Sequence, residues 1–431
     1  RHLYHRRGVE TALGNTVLPI AQGRGVGGST LVNSAICFRP PAPVIEHWRA
    51  HAGFDPEHAL ESRIDRVWGG IGASVNPPAV QKENNLIFKK GVEALGLNGA
   101  FMPRSAPGCV GCGVCQLGCP TGGKLSVDRS LLAQAEAKGS VAVYAGCRVM
   151  GVHEQGDRII SVKGEVLHPE TDEPTGVFEV SAEKFVLSAG TFGSPRFLLK
   201  NGLADGEHCG AHLRLHPGLG AVARFPHVIR PWEGVTQGYY VDRLERGYLL
   251  ETYTVTPDQY FLNMPLPFGE EALEVMADLE HMGSSGVLAS GWDSEGSVGA
   301  RSTQYELADA DRERLIHGVR EVAEVFFAAG ALEVFVPIVG VPRLKPGMDI
   351  AAALPLDLPA VDMCVYSSHI MGTCRMGTAA DNSVVDPTGR VWGWKNLHIS
   401  DASSFPTALS VNPQVTIMAN GLLVGEAVAR S

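Results

Sequence analysis

A chain of 431 residues, 45% of them hydrophobic, has room for two or three domains with sizeable cores. Its formal net charge of −10, with no basic stripe, excludes nucleic acid as a natural partner. No apolar run approaches the ~18 residues that would cross a bilayer, so no membrane span is expected. The basic opening RHLYHRRGVE has no apolar core behind it and does not read as a secretion signal. The compartment is therefore read as the cytoplasm, with the true start of the protein unseen.

A dinucleotide-binding fold normally opens with a strand, a G-x-G-x-x-G turn and a helix within ~30 residues, closed by an acidic residue. No such unit stands before residue 20. One literal match, Gly23, Gly25 and Gly28, runs into STLVNSAICF, which is apolar and β-branched rather than a helix start. The first acidic residue after it is Glu46, beside Trp48. The small residues read better as a loop whose amides approach a cofactor closely. Residues 41–100 are helix-rich, with helices expected near 44–51 and over 85–95 and a turn at Asn98-Gly99.

The run Cys109-x-x-Cys112-x-x-Cys115-x-x-x-Cys119-Pro120 has the spacing of a bacterial ferredoxin loop. The remaining cysteines, Cys37, Cys147, Cys209, Cys364 and Cys374, are scattered and form no second run. An iron–sulfur cluster, a zinc site, and thiols or disulfides that pin a loop all fit this spacing. Beyond it, Ser126 or Asp128 is expected to cap a helix through about Ala137. Strands over 141–152 and 159–166 flank a turn at Gly156-Asp157. Residues 184–189 read as a buried strand, and 190–194 as a turn into a helix capped by Ser194 with Pro195 first.

Between 205 and 360, alternation over 220–225, 247–255 and 286–300 predicts an antiparallel sheet, with a turn at Ser294-Glu295-Gly296. One long helix, about 310–329, interrupts it with Leu315, Val319, Val322 and Phe326 on one face. Aromatic side chains gather here: Phe225, Trp232, Tyr239, Tyr240, Tyr248, Tyr253, Tyr260, Phe261 and Phe268. A surplus of them on one sheet face would roof an apolar pocket. Residues 345–358, rich in Pro and Ala, read as a return linker.

The closing segment carries most of the chemistry. SSHIMGTCRMG at 367–377 is followed by strand-like runs at 384–386 and 397–400, then Asp401-Ala402-Ser403, then Asn412-Pro413 at the mouth of a helix. A helix N-terminus attracts negative charge, whether a phosphate or a reduced flavin ring. A neutral imidazole of pKa ~6.5 can take a hydroxyl proton near neutral pH. Asn412 can hold the same oxygen by hydrogen bonding without competing for that proton.

This closing pattern, H-x-x-G-T-x-R-M-G from His369 and then Asn412-Pro413, is similar to the end of a glucose-methanol-choline (GMC) flavoprotein oxidoreductase. The block GRGVGGSTLVN at 23–33 resembles that family's flavin signature. The resemblance implies FAD-dependent oxidation of an alcohol to an aldehyde or ketone by hydride transfer to flavin N5, with His369 as base and Asn412 as its hydrogen-bonding partner. It implies cofactor contacts from Gly27, Gly28, Ser29, Thr30 and Asn33, from Val149 beside the adenine, and from Ala189 and Gly190 in the A-G-x-x-G-S-P block. Asp401, Ala402, Pro413 and Thr416 complete that set. Gly372 and Arg375 match positions that shape the site, although Arg375 can equally be a buried ion-pair residue. Val32 stands where the choline-oxidising branch can carry a flavin-linked His, so the FAD is expected to be non-covalent.

The texture is nearest to the long-chain alcohol oxidase/dehydrogenase-like branch, whose Cys-rich turns imply no cluster. Some sugar dehydrogenases of the family do carry one, which keeps Cys109, Cys112, Cys115 and Cys119 as candidate iron–sulfur ligands. The expected partners are a small apolar alcohol and an electron acceptor, oxygen or a carrier. The expected fold is an α/β, Rossmann-like FAD-binding domain from 1–40, 105–204 and 365–431, with its first βαβ unit absent from the sequence. An α+β substrate domain with an antiparallel sheet takes 41–104 and 205–364. A partner chain could supply the missing unit. Rival readings are a hydroxynitrile-lyase-type FAD protein and an electron-transfer or binding subunit with an iron–sulfur cluster.

Overall fold

The computed structural model describes residues 3–254 and 270–431. Its largest sheet has six antiparallel strands in the order Glu333–Phe335, Gly218–Arg224, Met282–Ala289, Tyr248–Thr252, Tyr239–Arg243 and Gly99–Phe101. The helices Lys82–Ala94 and Asp309–Ala329 cover one face. Alternation divides the central strand Tyr248–Thr252 between two environments: Tyr248 and Leu250 join the core beneath the helices, whereas Leu249 packs into a second core on the opposite side. Glu251 shares the face of Leu249. This is why all five residues of that strand are buried although one of them is a carboxylic acid.

The long helix buries Leu315, Val319, Val322 and Phe326, the stripe predicted from its periodicity, and ends at Gly330 in the left-handed conformation. Smaller sheets surround this body. Arg214–Leu215 pairs antiparallel with Ile370–Met371, and Phe185–Leu187 pairs parallel with Leu397–Ile399. Cys147–Gln155, Arg158–Leu167 and Pro174–Ser181 form a three-stranded meander, with the expected turn at Gly156-Asp157. Glu295–Val298, Thr303–Glu306, Tyr4–Leu13 and Val17–Gly23 form a fourth sheet. Among the described residues no helix is long and apolar enough to cross a membrane.

Several expected elements differ. Residues 384–386 form no strand; Val385 makes only single bridges to Met376 and Val391. The strand expected from 141 begins at Cys147, and Asn98-Gly99 leads straight into the edge strand Gly99–Phe101. The helix expected from Ser126 is broken at Ser130 into Val127–Arg129 and Leu131–Ala137, and the Ser126 hydroxyl donates to Asp128 Oδ1 instead of capping. Residues 286–300 divide between two sheets, and Glu295 and Gly296 lie inside a strand rather than a turn. The linker holds a short helix, Ile350–Ala353, capped by Asp349. Tyr260, Phe261 and Phe268 lie outside the described residues.

The helix expected to begin at Ser194 begins at Gly190 and carries Pro195 inside it. Proline at 195 cannot donate to the Thr191 carbonyl. The Thr373 hydroxyl donates to that carbonyl instead, at 2.6 Å. One residue of the G-T-C-R block thus repairs the helix at the A-G-x-x-G-S-P block.

Candidate active site

The short ribbon of Arg214–Leu215 against Ile370–Met371 fixes the centre of the site. Its pairing sets Leu215 opposite Ile370, so the next residue on one side, His216, meets the preceding residue on the other, His369. The Ser367 hydroxyl lies within hydrogen-bonding distance of the carbonyls of both histidines, at 3.0 and 3.2 Å. The imidazoles meet edge to face, with their Nδ1 atoms 3.1 Å apart. The backbone N–H of Leu409 donates to His216 Nε2 at 3.1 Å. Burial holds the His369 pKa down at about 4 and the His216 pKa well below the ordinary value, so both rings are neutral at pH 7.

Asn412 was expected to cap the closing helix. That helix runs Gln414–Arg430, with Pro413 at the capping position and no side-chain cap. The Asn412 side chain turns to the histidine, its Nδ2 lying 3.4 Å from His369 Nε2. The structure thus brings the two side chains together, and Asn412 does not serve as a side-chain cap. The loop that delivers it, from Phe405 to Pro413, is almost wholly buried and holds Ser410 at φ +60, a conformation that costs a non-glycine residue about 1–2 kcal/mol.

Sequence reasoning missed two residues here, His216 and Glu251. Glu251 is buried, and burial lifts its carboxyl to a pKa of about 7, partly opposed by the Asn412 amide nearby. Gln237 Nε2 donates to Oε2 at 3.2 Å, while Oε1 has no hydrogen-bond partner. An acidic residue within the apolar strand YLLET was the signal that could have found it. His216, in the stretch LRLHPG, carried none.

The glycine-rich loop forms a single 3-10 turn, Gly28–Leu31, and no helix follows, so the literal G-x-G-x-x-G match is not a Rossmann turn. Gly27 and Gly28 both have positive φ. Ser29 Oγ accepts from the Gly23 amide, and Thr30 Oγ1 accepts from the Val127 amide. Asn33 reaches the closing helix through Gln414. At that helix start Pro413 is buried, and Thr416 Oγ1 is buried without a partner.

Asp401 is taken up by the protein itself. Its Oδ2 accepts from the Gly190 amide and the Ser194 hydroxyl, and its Oδ1 from the Ser403 amide. These bonds join the Gly190–Lys200 helix to the closing segment. The Ala402 carbonyl accepts from the Gly372 amide at 3.2 Å. Ala189 is exposed beside Gly190, and Val149 is 42% exposed on its strand. Arg375 makes a bond to the Asn382 carbonyl at 3.2 Å.

The cysteine run folds about a small recess lined by Cys109, Cys112, Cys115, Cys119 and Lys124. All four cysteines are free thiols, and among the described residues no group of three or more His, Cys, Asp or Glu is placed to hold a metal. The ferredoxin spacing therefore does not produce ferredoxin geometry. Two buried cations stand beside the thiols: Arg104, 3.3 Å from Cys115 Sγ, and Lys124, whose ammonium donates to the carbonyls of Leu31, Asn33 and Cys115. Burial lowers the Lys124 pKa to about 8. The Cys119 thiol is shifted down by hydrogen bonds from the Lys124, Thr121 and Gly122 region, against the effect of its burial. Lys124 ties this recess to the glycine-rich loop.

The comparisons with known proteins agree with one another. Residues 1–218 match the N-terminal part of the GMC oxidoreductase family, and residues 293–421 match its C-terminal part. An uncharacterised GMC-type oxidoreductase of Mycobacterium tuberculosis is 30% identical over 98% of this chain and 67% of its own length. A long-chain-alcohol oxidase of Arabidopsis thaliana is 27% identical over the whole of this chain, which spans 61% of the plant protein. Among solved structures, pyridoxine 4-oxidase from Mesorbium loti superposes with a TM-score of 0.72 at 17% identity, covering 98% of this chain and 88% of that one. An FAD-dependent oxidoreductase from Chaetomium thermophilum gives 0.71 at 14% identity, covering 99% and 90%. The fold is that of these flavoenzymes, an FAD-binding domain with a substrate domain, and on the two matched blocks and the 30% relative the chain belongs to the GMC oxidoreductase family.

Proposed function

We propose that this chain carries the catalytic centre of an FAD-dependent enzyme that oxidises an alcohol CH–OH to an aldehyde or ketone. The observation that carries the reading is the buried pair His369 and Asn412, their side-chain nitrogens 3.4 Å apart, in a chain of this family. FAD, when bound, supplies the hydride acceptor, its N5 atom. The residues fit such a group: Gly27 and Gly28 leave room for backbone approach, and Thr416 Oγ1 is an unpaired donor at the start of the closing helix. Residues 1–40, 105–204 and 365–431 form the FAD-binding part in this reading, and 41–104 and 205–364 the substrate part.

The substrate is an apolar alcohol, with oxygen or a carrier as the final acceptor. A recess beside Val411, the residue before Asn412, is walled by Phe38, Trp68, Tyr240 and Leu249 together with Arg39 and Asp242. The plant relatives named for long-chain alcohols support the same class. The test is an absorbance spectrum recorded without oxygen, before and after adding primary alcohols of increasing chain length. Flavin bands that bleach, and bleach more readily with longer alcohols, are expected. A flavin-loaded protein that no alcohol bleaches, or that releases cyanide from hydroxynitriles instead, overturns the reading.

A further inference from the structure

The sheet face that passes Asn412 leads, residue by residue, to a charge that nothing balances. On the antiparallel strands Tyr239–Arg243 and Tyr248–Thr252, Tyr240 stands opposite Glu251 and Asp242 opposite Leu249. Opposite partners and alternate residues share a face, so these four lie on one surface, away from the helices that cover Val241 and Leu250. Glu251 marks the end beside the Asn412 amide. Leu249 and Asp242 come two residues further along, roughly 7 Å away, a gap that about five or six carbons of an extended chain bridge.

Tyr240, Leu249 and Asp242 all line the recess beside Val411. Its walls are fixed by ring contacts. Phe38 meets Tyr240 edge to face with centroids 4.9 Å apart, and the Arg39 guanidinium lies over the Trp68 ring at 5.6 Å. The two charged residues of the lining, Arg39 and Asp242, are not equivalent. Arg39 has its own counter-ion in Asp65. Asp242 accepts one hydrogen bond, from the Leu244 amide at 2.9 Å, and among the described residues no cation pairs with it. Its neighbour Arg243 is drawn off to Glu321 and Glu245. The charge is felt inside the recess: burial raises the Tyr240 phenol pKa, and Asp242 adds to that shift.

We propose that the substrate is an alcohol with an apolar chain of about six carbons and a cationic far end, its hydroxyl at the His369–Asn412 pair and its ammonium group at Asp242. The proposal rests on the alcohol-oxidising reading above and adds a charged end to the apolar chain named there. A carboxylate at that end would face Asp242 with a like charge, since Arg39 is already paired. Asp242 is exposed, so water screens the attraction and the effect is a graded preference.

The test compares three six-carbon alcohols that differ at the far end: ω-aminohexanol, hexanol and ω-hydroxyhexanoate. With flavin-loaded protein at pH 7 and low salt, kcat/KM should fall in that order by about 3-fold at each step, and the differences should shrink at high salt. Asp242→Asn should draw the three values together, and Asp242→Lys should reverse their order. Equal values in the wild type overturn the proposal, as does an order that survives Asp242→Asn. A preference for hydroxyhexanoate that disappears in Arg39→Gln also overturns it and makes Arg39 the selecting residue. Binding is followed apart from turnover by quenching of tryptophan fluorescence, with Trp68→Phe identifying the signal from the recess. If no alcohol is oxidised, the functional reading fails, while the order of the Kd values still decides what the recess selects.

Discussion

Asn33 and Gln414, 381 positions apart in the chain, meet in one hydrogen bond: Asn33 Nδ2 donates to Gln414 Oε1 at 2.8 Å. Gln414 Nε2 in turn donates to the Ile36 carbonyl at 2.6 Å. The first residue of the closing helix therefore staples the glycine-rich loop from two sides. Gln414→Leu removes both bonds and leaves two groups unpaired, at a cost of roughly 2–4 kcal/mol. Urea unfolding should show that loss, and flavin should wash out more readily on dialysis. A variant as stable as wild type would show that the staple is idle.

Gly372 has φ +94, and a Cβ there would lie 2.2 Å from the His212 carbonyl oxygen. Neither the backbone conformation nor the space suits any other residue. Gly372→Ala should cost at least about 2 kcal/mol and displace the ribbon that carries His369, lowering kcat more than it weakens flavin binding. Thermal unfolding and steady-state rates on one preparation decide it.

Stability should depend on pH through two opposing groups. Buried His369 and His216 have lowered pKa values, so the unfolded chain binds more protons than the folded one as pH falls from about 6.5 toward 4. Their contribution is full above about 6.5 and is lost on acidification. Glu251, raised to about 7, acts in the other direction: its contribution is full below about 4.5 and is lost as pH rises through 7. Glu251→Gln deletes only the second effect. Relative to wild type its stability should climb between pH 4.5 and 7 by an amount on the order of 3 kcal/mol. Parallel curves for the two proteins would refute the raised carboxyl.

Arg104 is fully buried and makes contacts to the Ser34 carbonyl, Asn76 Oδ1, Thr236 Oγ1 and Cys115 Sγ. Arg104→Met strips donors from several buried acceptors at once and should cost about 3 kcal/mol or more. Cys115, buried in the native protein, should then react with a thiol reagent much faster than in wild type. Arg104→Lys should repair little, because an ammonium cannot reproduce the planar fork. An unchanged labelling rate in Arg104→Met would show that the recess does not depend on this residue.

The parts of this protein legible in its sequence were those governed by local rules. The stripe Leu315, Val319, Val322 and Phe326 follows the helical period, and Ser29, Thr30, Asn33, His369 and Asn412 lie within recognisable blocks. What escaped depends on tertiary neighbours. Pro195 looks like a helix start until Thr373 takes over the carbonyl it abandons. Asn412 before a proline looks like a cap until its side chain is drawn toward His369. Glu251 owes its pKa to the sheet and cores that enclose it, and the cysteine run owes its character to Arg104 and Lys124 rather than to its own spacing. His216 had no local mark at all, since the amide that bonds its ring belongs to a residue 193 positions away.

That distant residue acts through its main chain, and main chain is what amino-acid substitution alters least. Any residue at position 409 except proline offers the same N–H, so the instruction that orients the imidazole pair is written in the path of the backbone and not in the alphabet of side chains. Two relatives could differ at 409 and still share the device; a search for matching letters would pass over it. Drift at that position is buffered, while a change in the course of the loop between Phe405 and Pro413, even with every neighbouring side chain preserved, would erase the setting.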